Sequence, residues 1–246
     1  SREAYTRDNK EVQALMEKLE PAEDFYRVEK KTRKTKNDGA WMNFPSVSLF
    51  SSTANADLTK FFKRMGCEAS TNAYSITGST PLVDSLLSVR YALYSEYIPN
   101  TDLVNYIQES GGTYLYENLY TLPLGFVLPY DLADNWQYQM ENPAEVQNDL
   151  CLLLGTDDVL VPVETEVSGS GCTFTADMAG EYYVYIQNKK VKNVKASLPS
   201  GEKNFSNVDR GYLLEMGNLS EGSRITLTPG ESGETLTAAV YRFSPR

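Results

Sequence analysis

The chain has 246 residues, of which 41% are hydrophobic and 23% charged, with a net charge of -10. That length supports one large core or two modest ones, and the charge disfavours nucleic acid and anionic lipid heads as partners. With no histidine and only the dispersed Cys67, Cys151 and Cys172, histidine catalysis, histidine metal sites and CxxC chemistry are excluded, and at most one disulfide can form, with none expected.

Helix and strand signals alternate through the first two thirds. Asp8 and Glu11 have the spacing of a capping box, and Val12, Leu15, Met16 and Leu19 form one apolar stripe that Pro21 ends. The alternation in DFYRVEK predicts a strand. The basic run Lys30, Lys31, Arg33, Lys34 and Lys36 reads as a solvated loop, and Asn37-Asp38-Gly39 as a turn. Asn55 caps a helix whose stripe is Leu58, Phe61, Phe62 and Met65, stopped by Gly66. Thr80-Pro81 opens another helix, and VRYALY and TYLYENL follow as strands. LPLGFVLP is expected as an edge strand, since proline keeps to strand ends and edges. Asn142-Pro143 opens a third capped helix with Val146, Leu150, Leu153 and Leu154 inward and Gly155 as its stop. Cys151 is expected in a core.

Helix signals vanish after Val161. Seven short strand candidates follow: VPVETEV, CTFTAD, EYYVYIQN, VKNVKASL, GYLLEMG, SRITLTP and ETLTAAVYRF, separated by Gly, Ser, Pro and Asn clusters. In EYYVYIQN, Tyr182, Val184 and Ile186 are expected inward and Tyr183, Tyr185 and Gln187 outward. The expected fold class is α+β: a mixed α/β domain over 1–157, then an antiparallel, jelly-roll-like β-sandwich over 158–246.

Few residues point to chemistry. The carboxylate pairs Asp131/Asp134 and Asp157/Asp158 suit acid–base work only if they face each other across a cleft; solvated turns are the plainer reading. Ser51 and Ser52 offer hydroxyls to a ligand ahead of a helix, although such residues usually bond their own backbone. Trp136 and Tyr138 lie in the polar segment DLADNWQYQMEN, where large aromatics can stack on sugar rings. The ligand-binding candidates are therefore Trp136, Tyr138, Ser51 and Ser52, with no catalytic residue, metal site or cofactor. No apolar run reaches the roughly 18 to 20 residues that cross a bilayer. The chain opens on Ser1 without a leader, and is expected to be a water-soluble piece of a longer protein.

Five motifs in order carry a resemblance: Phe25-Tyr26-Arg27 with the serine loop at Ser51-Ser52; Gly78 to Pro81; Ser88 to Tyr91; Tyr116 to Asn118 with Leu122-Pro123; and Asn142-Pro143 with Gln147-Asn148. Over roughly residues 20–160 the chain resembles the bacterial YfhO membrane-protein family. The resemblance implies a polytopic glycosyltransferase of the GT-C type that uses polyprenyl-phosphate-linked sugars, in some members to decorate teichoic acids. It implies a location at the extracytoplasmic face of the cell membrane of a Gram-positive-type bacterium. The catalytic acid of such enzymes lies near N-terminal membrane helices that nothing here matches. The expected function is thus a non-catalytic extracytoplasmic domain that binds the acceptor or shapes the active-site cleft. Its partners are a cell-envelope glycan or polyprenyl-linked sugar through the parent protein, and the membrane through flanking helices. A free-standing secreted carbohydrate-binding or adhesion module is the alternative, and a hydrolase built on a carboxylate pair is a third reading.

Overall fold

The computed structural model describes residues 8–19, 25–122 and 126–245. Pro21, and Pro123 within the expected edge strand, lie outside them. The chain forms two compact units, one of Ser1–Thr59 with Ser70–Val127, the other of Lys60–Ala69 with Leu128–Arg246. The fold is α+β, with mostly antiparallel sheets and a sheet-rich C-terminal region.

The first unit is built on the strands β1 (Arg27–Lys30), β5 (Val89–Tyr94), β6 (Val104–Ser110) and β7 (Thr113–Asn118). Their order is β1-β5-β7-β6, with β1 parallel to β5 and the other pairs antiparallel. The helix α1 (Asn9–Met16) covers one face. Val12 and Leu15 are wholly buried there against Val28, Tyr91, Leu93 and Leu115. Burying each is worth about 2 kcal/mol, which docks a helix too short to persist alone. The helix α4 (Pro81–Leu86) starts as its sequence predicts, with the Thr80 side chain accepting from the Val83 amide. Two very short strands, β2 (Leu49–Phe50) and β4 (Ala73–Tyr74), pair antiparallel.

Four details differ from expectation. Asp8 precedes α1, but its carboxylate makes no capping bond; it is drawn to two lysines instead. Asn37-Asp38-Gly39 is not a free turn: Asp38 begins the short helix α2 (Asp38–Met42) and accepts from the Lys34 and Thr35 amides. The strand β6 escapes notice because its apolar residues do not alternate, and a bulge lies between Tyr106 and Gln108. In the helix α3 (Ala56–Arg64), Asn55 caps the Asp57 and Leu58 amides; Phe62 and Met65 are buried while Leu58 is exposed.

In the second unit two antiparallel sheets enclose one apolar cluster. The first contains β9 (Glu166–Ser168), β10 (Gly171–Thr175), β12 (Asn193–Leu198), β13 (Gly201–Ser206) and β15 (Arg224–Pro229), ordered β13-β12-β15-β10-β9. The second contains β8 (Leu160–Val163), β11 (Gly180–Ile186), β14 (Leu214–Leu219) and β16 (Ala238–Phe243), ordered β14-β11-β16-β8. Phe174, Ala196, Ile225 and Leu227 meet Tyr182, Val184, Ile186 and Val240 in that cluster. VPVETEV divides into β8 and β9, and the polar GEKNFS adds β13, which hydropathy does not mark.

Tyr183 and Tyr185 do not point to solvent; both are buried. Their sheet is covered on its second face as well, where the helix α6 (Pro143–Leu153) packs on β8. The Asn142 side chain caps α6 and donates to the Tyr241 hydroxyl at 2.7 Å. Val146 and Leu150 are buried as expected, but Leu154 is exposed, and the wholly buried Gln147 donates to the Met65 carbonyl. Cys67, Cys151 and Cys172 are buried free thiols.

Candidate functional site

The serine loop bonds to itself. The Ser51 amide donates to the Asn72 carbonyl, the Thr53 amide donates to Ser51 Oγ at 3.2 Å, and the two hydroxyls lie 3.0 Å apart. Ser52 is exposed beside it. This is a local turn that leads to Asn55, the cap immediately before α3.

Trp136 and Tyr138 do come together, with ring centroids 5.1 Å apart and planes tilted by 57°. Trp136 follows the short helix α5 (Leu132–Asn135). Its indole N–H donates to the Val146 carbonyl at 2.8 Å, and both rings are half-buried. The pair lies in the second unit and the serine loop in the first.

The basic run is the largest departure from expectation. Lys30 sits in β1 with its side chain 7% exposed, 3.2 Å from Asp8 and 4.0 Å from Asp38. Lys34 also reaches Asp8, at 3.2 Å, and Lys31 reaches Asp84 at 3.5 Å. Arg33 donates to Ser48, Ser75 and Thr77. Burial alone would raise the Asp8 carboxyl, but the Lys30 and Lys34 ammonium groups outweigh it and hold Asp8 below the usual carboxylate range. Beside them the buried Glu29 accepts from Ser46 Oγ, from the Val47 and Ser48 amides and from Ser48 Oγ. Burial pushes its carboxyl up against the pull of those donors. Sequence reasoning took these cations for solvated groups because their partners lie across the fold.

The carboxylate pairs stay at the surface. Asp131, Asp134, Asp157 and Asp158 are all exposed; Asp131 precedes one short turn of helix and Asp134 lies within it. Among the described residues no cluster of three or more His, Cys, Asp or Glu is placed to hold a metal ion. A cleft of about 430 Å³ opens in the second unit between Pro162, Glu164, Glu166, Phe174 and Asp177. Asp177 is held there by Arg242 at 3.0 Å and by the Tyr182 hydroxyl at 2.7 Å.

One aromatic surface went unnoticed in the sequence. The sheet face of the first unit opposite α1 carries Tyr94, Tyr106, Tyr114 and Tyr116, joined by Tyr97 from the β5–β6 connection. Neighbouring centroids lie 5.1 to 6.2 Å apart in edge-to-face contacts. The period-two spacing of Tyr114 and Tyr116 was its available signal.

The motif residues hold the fold together. Arg27 donates to the Leu87 carbonyl at 2.6 Å and Asn118 to the Val89 carbonyl at 2.7 Å. Asn148 brackets Leu160, donating to its carbonyl and accepting from its amide, each at 2.9 Å. With Thr80, Asn142 and Gln147, these positions close backbone groups that packing would otherwise strand.

The sequence profile of the family described as bacterial membrane protein YfhO matches residues 1–162. No curated protein and no solved structure matches the chain. Among the described residues, no helix is long and apolar enough to cross a membrane.

Proposed function

The chain belongs to the YfhO family of bacterial membrane proteins, and from that premise we propose that it forms a non-catalytic, extracytoplasmic domain of a polytopic protein. Its work is to assist polyprenyl-phosphate-sugar-dependent glycosylation of a cell-envelope polymer, such as a teichoic acid, by holding the acceptor or shaping the cleft above a membrane-embedded active site.

The observation that carries this reading is the family match over residues 1–162. Two features of the structure support it. The buried charges of the first unit are engaged with one another or with backbone amides, as expected of a scaffold. The carboxylate pairs are exposed at the surface, where acid–base catalysis lacks the dry, two-sided geometry it needs. The binding role falls to aromatic faces and amide or hydroxyl donors, the groups that hold sugars in water.

In-frame removal of residues 8–245 from the full-length gene tests the proposal, followed by sugar analysis of purified envelope polymers. Loss or reduction of one glycosyl substituent, with the truncated protein still in the membrane fraction, is expected. An unchanged sugar profile refutes the role.

A further inference from the structure

We propose that the tyrosine-paved face of the β5-β7-β6 sheet is a binding platform for an uncharged hexopyranose glycan. It rests on the glycosylation reading above and narrows it to one surface that holds neutral sugar residues of the envelope polymer, not a phosphate backbone.

The two faces of this sheet have different fates. One packs Tyr91, Leu93 and Leu115 against Val12 and Leu15 of α1. The register places Tyr94 opposite Tyr114, and Tyr116 between Ala92 and Tyr106, on the other. Tyr116 is fully buried, and its hydroxyl donates to the Ile98 carbonyl and accepts from the Ile98 amide, both at 2.7 Å. That double bond pins the β5–β6 connection and holds Tyr97 at 5.6 Å from Tyr106 and 6.2 Å from Tyr114. Tyr97 remains 57% exposed, and Tyr94, Tyr106 and Tyr114 are half-buried. The rings are therefore pre-positioned by the sheet, and binding needs little ordering of side chains.

The polar groups around the rings suit a sugar. The hydroxyls of Tyr97, Tyr106 and Tyr114 have no hydrogen-bond partner among the described residues. Asn100 accepts from the Tyr106 amide at 2.7 Å and donates to Asn105 Oδ1 at 3.0 Å. These two bonds tie the β5–β6 connection back to β6 at Tyr106.

Charge selects the class. From Tyr91 to Asn188 the sequence contains no Lys, Arg or His, while Glu96, Asp102 and Glu109 lie along the same connection and edge strand. Arg90 on β5 is paired with Glu117 at 3.1 Å, and β6, β7 and their connections carry no cation, so a phosphate-rich polymer finds little counter-charge and the nearby carboxylates repel it. A neutral pyranose presents C–H faces to the rings and hydroxyls to the tyrosine hydroxyls.

The test is saturation-transfer NMR and calorimetry on the 246-residue chain with maltotetraose, cellotetraose, chitotetraose and mannotetraose. Poly(glycerol phosphate) and phosphatidylcholine vesicles serve as comparison ligands. Binding to at least one neutral tetrasaccharide is expected, weakened about fivefold or more by Tyr97→Ala or Tyr114→Ala. Tyr97→Phe, which keeps the ring and loses only the hydroxyl, should weaken binding less than Tyr97→Ala, and Tyr130→Ala, a fully exposed ring elsewhere, should leave affinity within about twofold. Far-ultraviolet dichroism confirms that each variant is folded. The proposal is overturned if no neutral tetrasaccharide binds, if Tyr97→Ala binds as the parent does, or if vesicles or the polyphosphate bind in place of sugar. Sugar binding that fails while removal of residues 8–245 still abolishes a glycosyl substituent defeats this site alone. Tyr97-dependent binding with an unchanged envelope defeats the glycosylation role alone.

Discussion

Asp8→Asn, Lys30→Met and the double variant together test whether the basic run is an internal charge knot. Lys30 is nearly buried, and Asp8 is partly exposed, at 7% and 30% of side-chain surface. Breaking a fully buried ion pair costs about 3 to 5 kcal/mol, because the abandoned charge has no solvent. Here Asp38 remains 4.0 Å from Lys30, and Asp8 is not fully buried, so Asp8→Asn should cost about 2 kcal/mol. Lys30→Met leaves Asp8 with Lys34 and leaves Asp38 with the Lys34 and Thr35 amides, so about 1 kcal/mol is expected. With both changes neither Asp8 nor Lys30 leaves the other's charge stranded, and the pair should couple by about 1 kcal/mol. Hydrogen exchange of the Val28 and Lys31 amides, bonded to Pro45 and Leu93, reads the first unit alone. The Asp8 carboxyl titrates below its ordinary 3.8 when folded. Its contribution is therefore present above that value and is lost as pH falls through the depressed folded value. Asp8→Asn should lack this acid-side loss. Additivity within about 0.5 kcal/mol, or an unchanged acid limb, refutes the knot.

Other outcomes follow from the second unit. A Cβ at Gly171 would overlap the Leu227 carbonyl of the paired strand, so Gly171→Ala should cost about 3 kcal/mol or more, seen as early exchange throughout β10 and β15. Gln147→Leu leaves the Met65 carbonyl without its donor and should cost about 1 to 3 kcal/mol by thermal melting. Burial pushes the Tyr182 and Tyr185 phenols up to about 12. Their share of stability is intact below about pH 10 and is lost as pH rises through the folded values, so alkaline unfolding and tyrosinate absorbance should rise together. Ionisation at ordinary pH without unfolding would contradict this. Burial also raises the Cys151 and Cys172 thiols, so a thiol reagent should label neither until denaturant is added.

The sequence was legible wherever a local signal decides structure. Thr80, Asn55 and Asn142 open helices because a short polar side chain satisfies stranded amides within three residues, and the structure keeps all three. The switch from helical to strand periodicity after Val161 holds because alternation and turn residues are local too. Legibility failed where a distant group decides. Lys30 reads as a surface cation until Asp8 and Asp38 are brought to it. Tyr185 reads as outward until α6 and its neighbours cover the second face of the sheet. The candidate site split in the same way. The Ser51 and Trp136 segments were found by residue type, yet both use their polar groups on nearby backbone. The tyrosine face depends on strand order, which no single segment encodes.

Sidedness in the membrane is the most direct measure of the central claim. Cys67, Cys151 and Cys172 are buried, whereas Val167 is 86% exposed, so Val167→Cys introduces one accessible thiol. In intact protoplasts carrying the full-length variant, a membrane-impermeant maleimide should label this position without lysis. Labelling only after the membrane is broken would contradict the account.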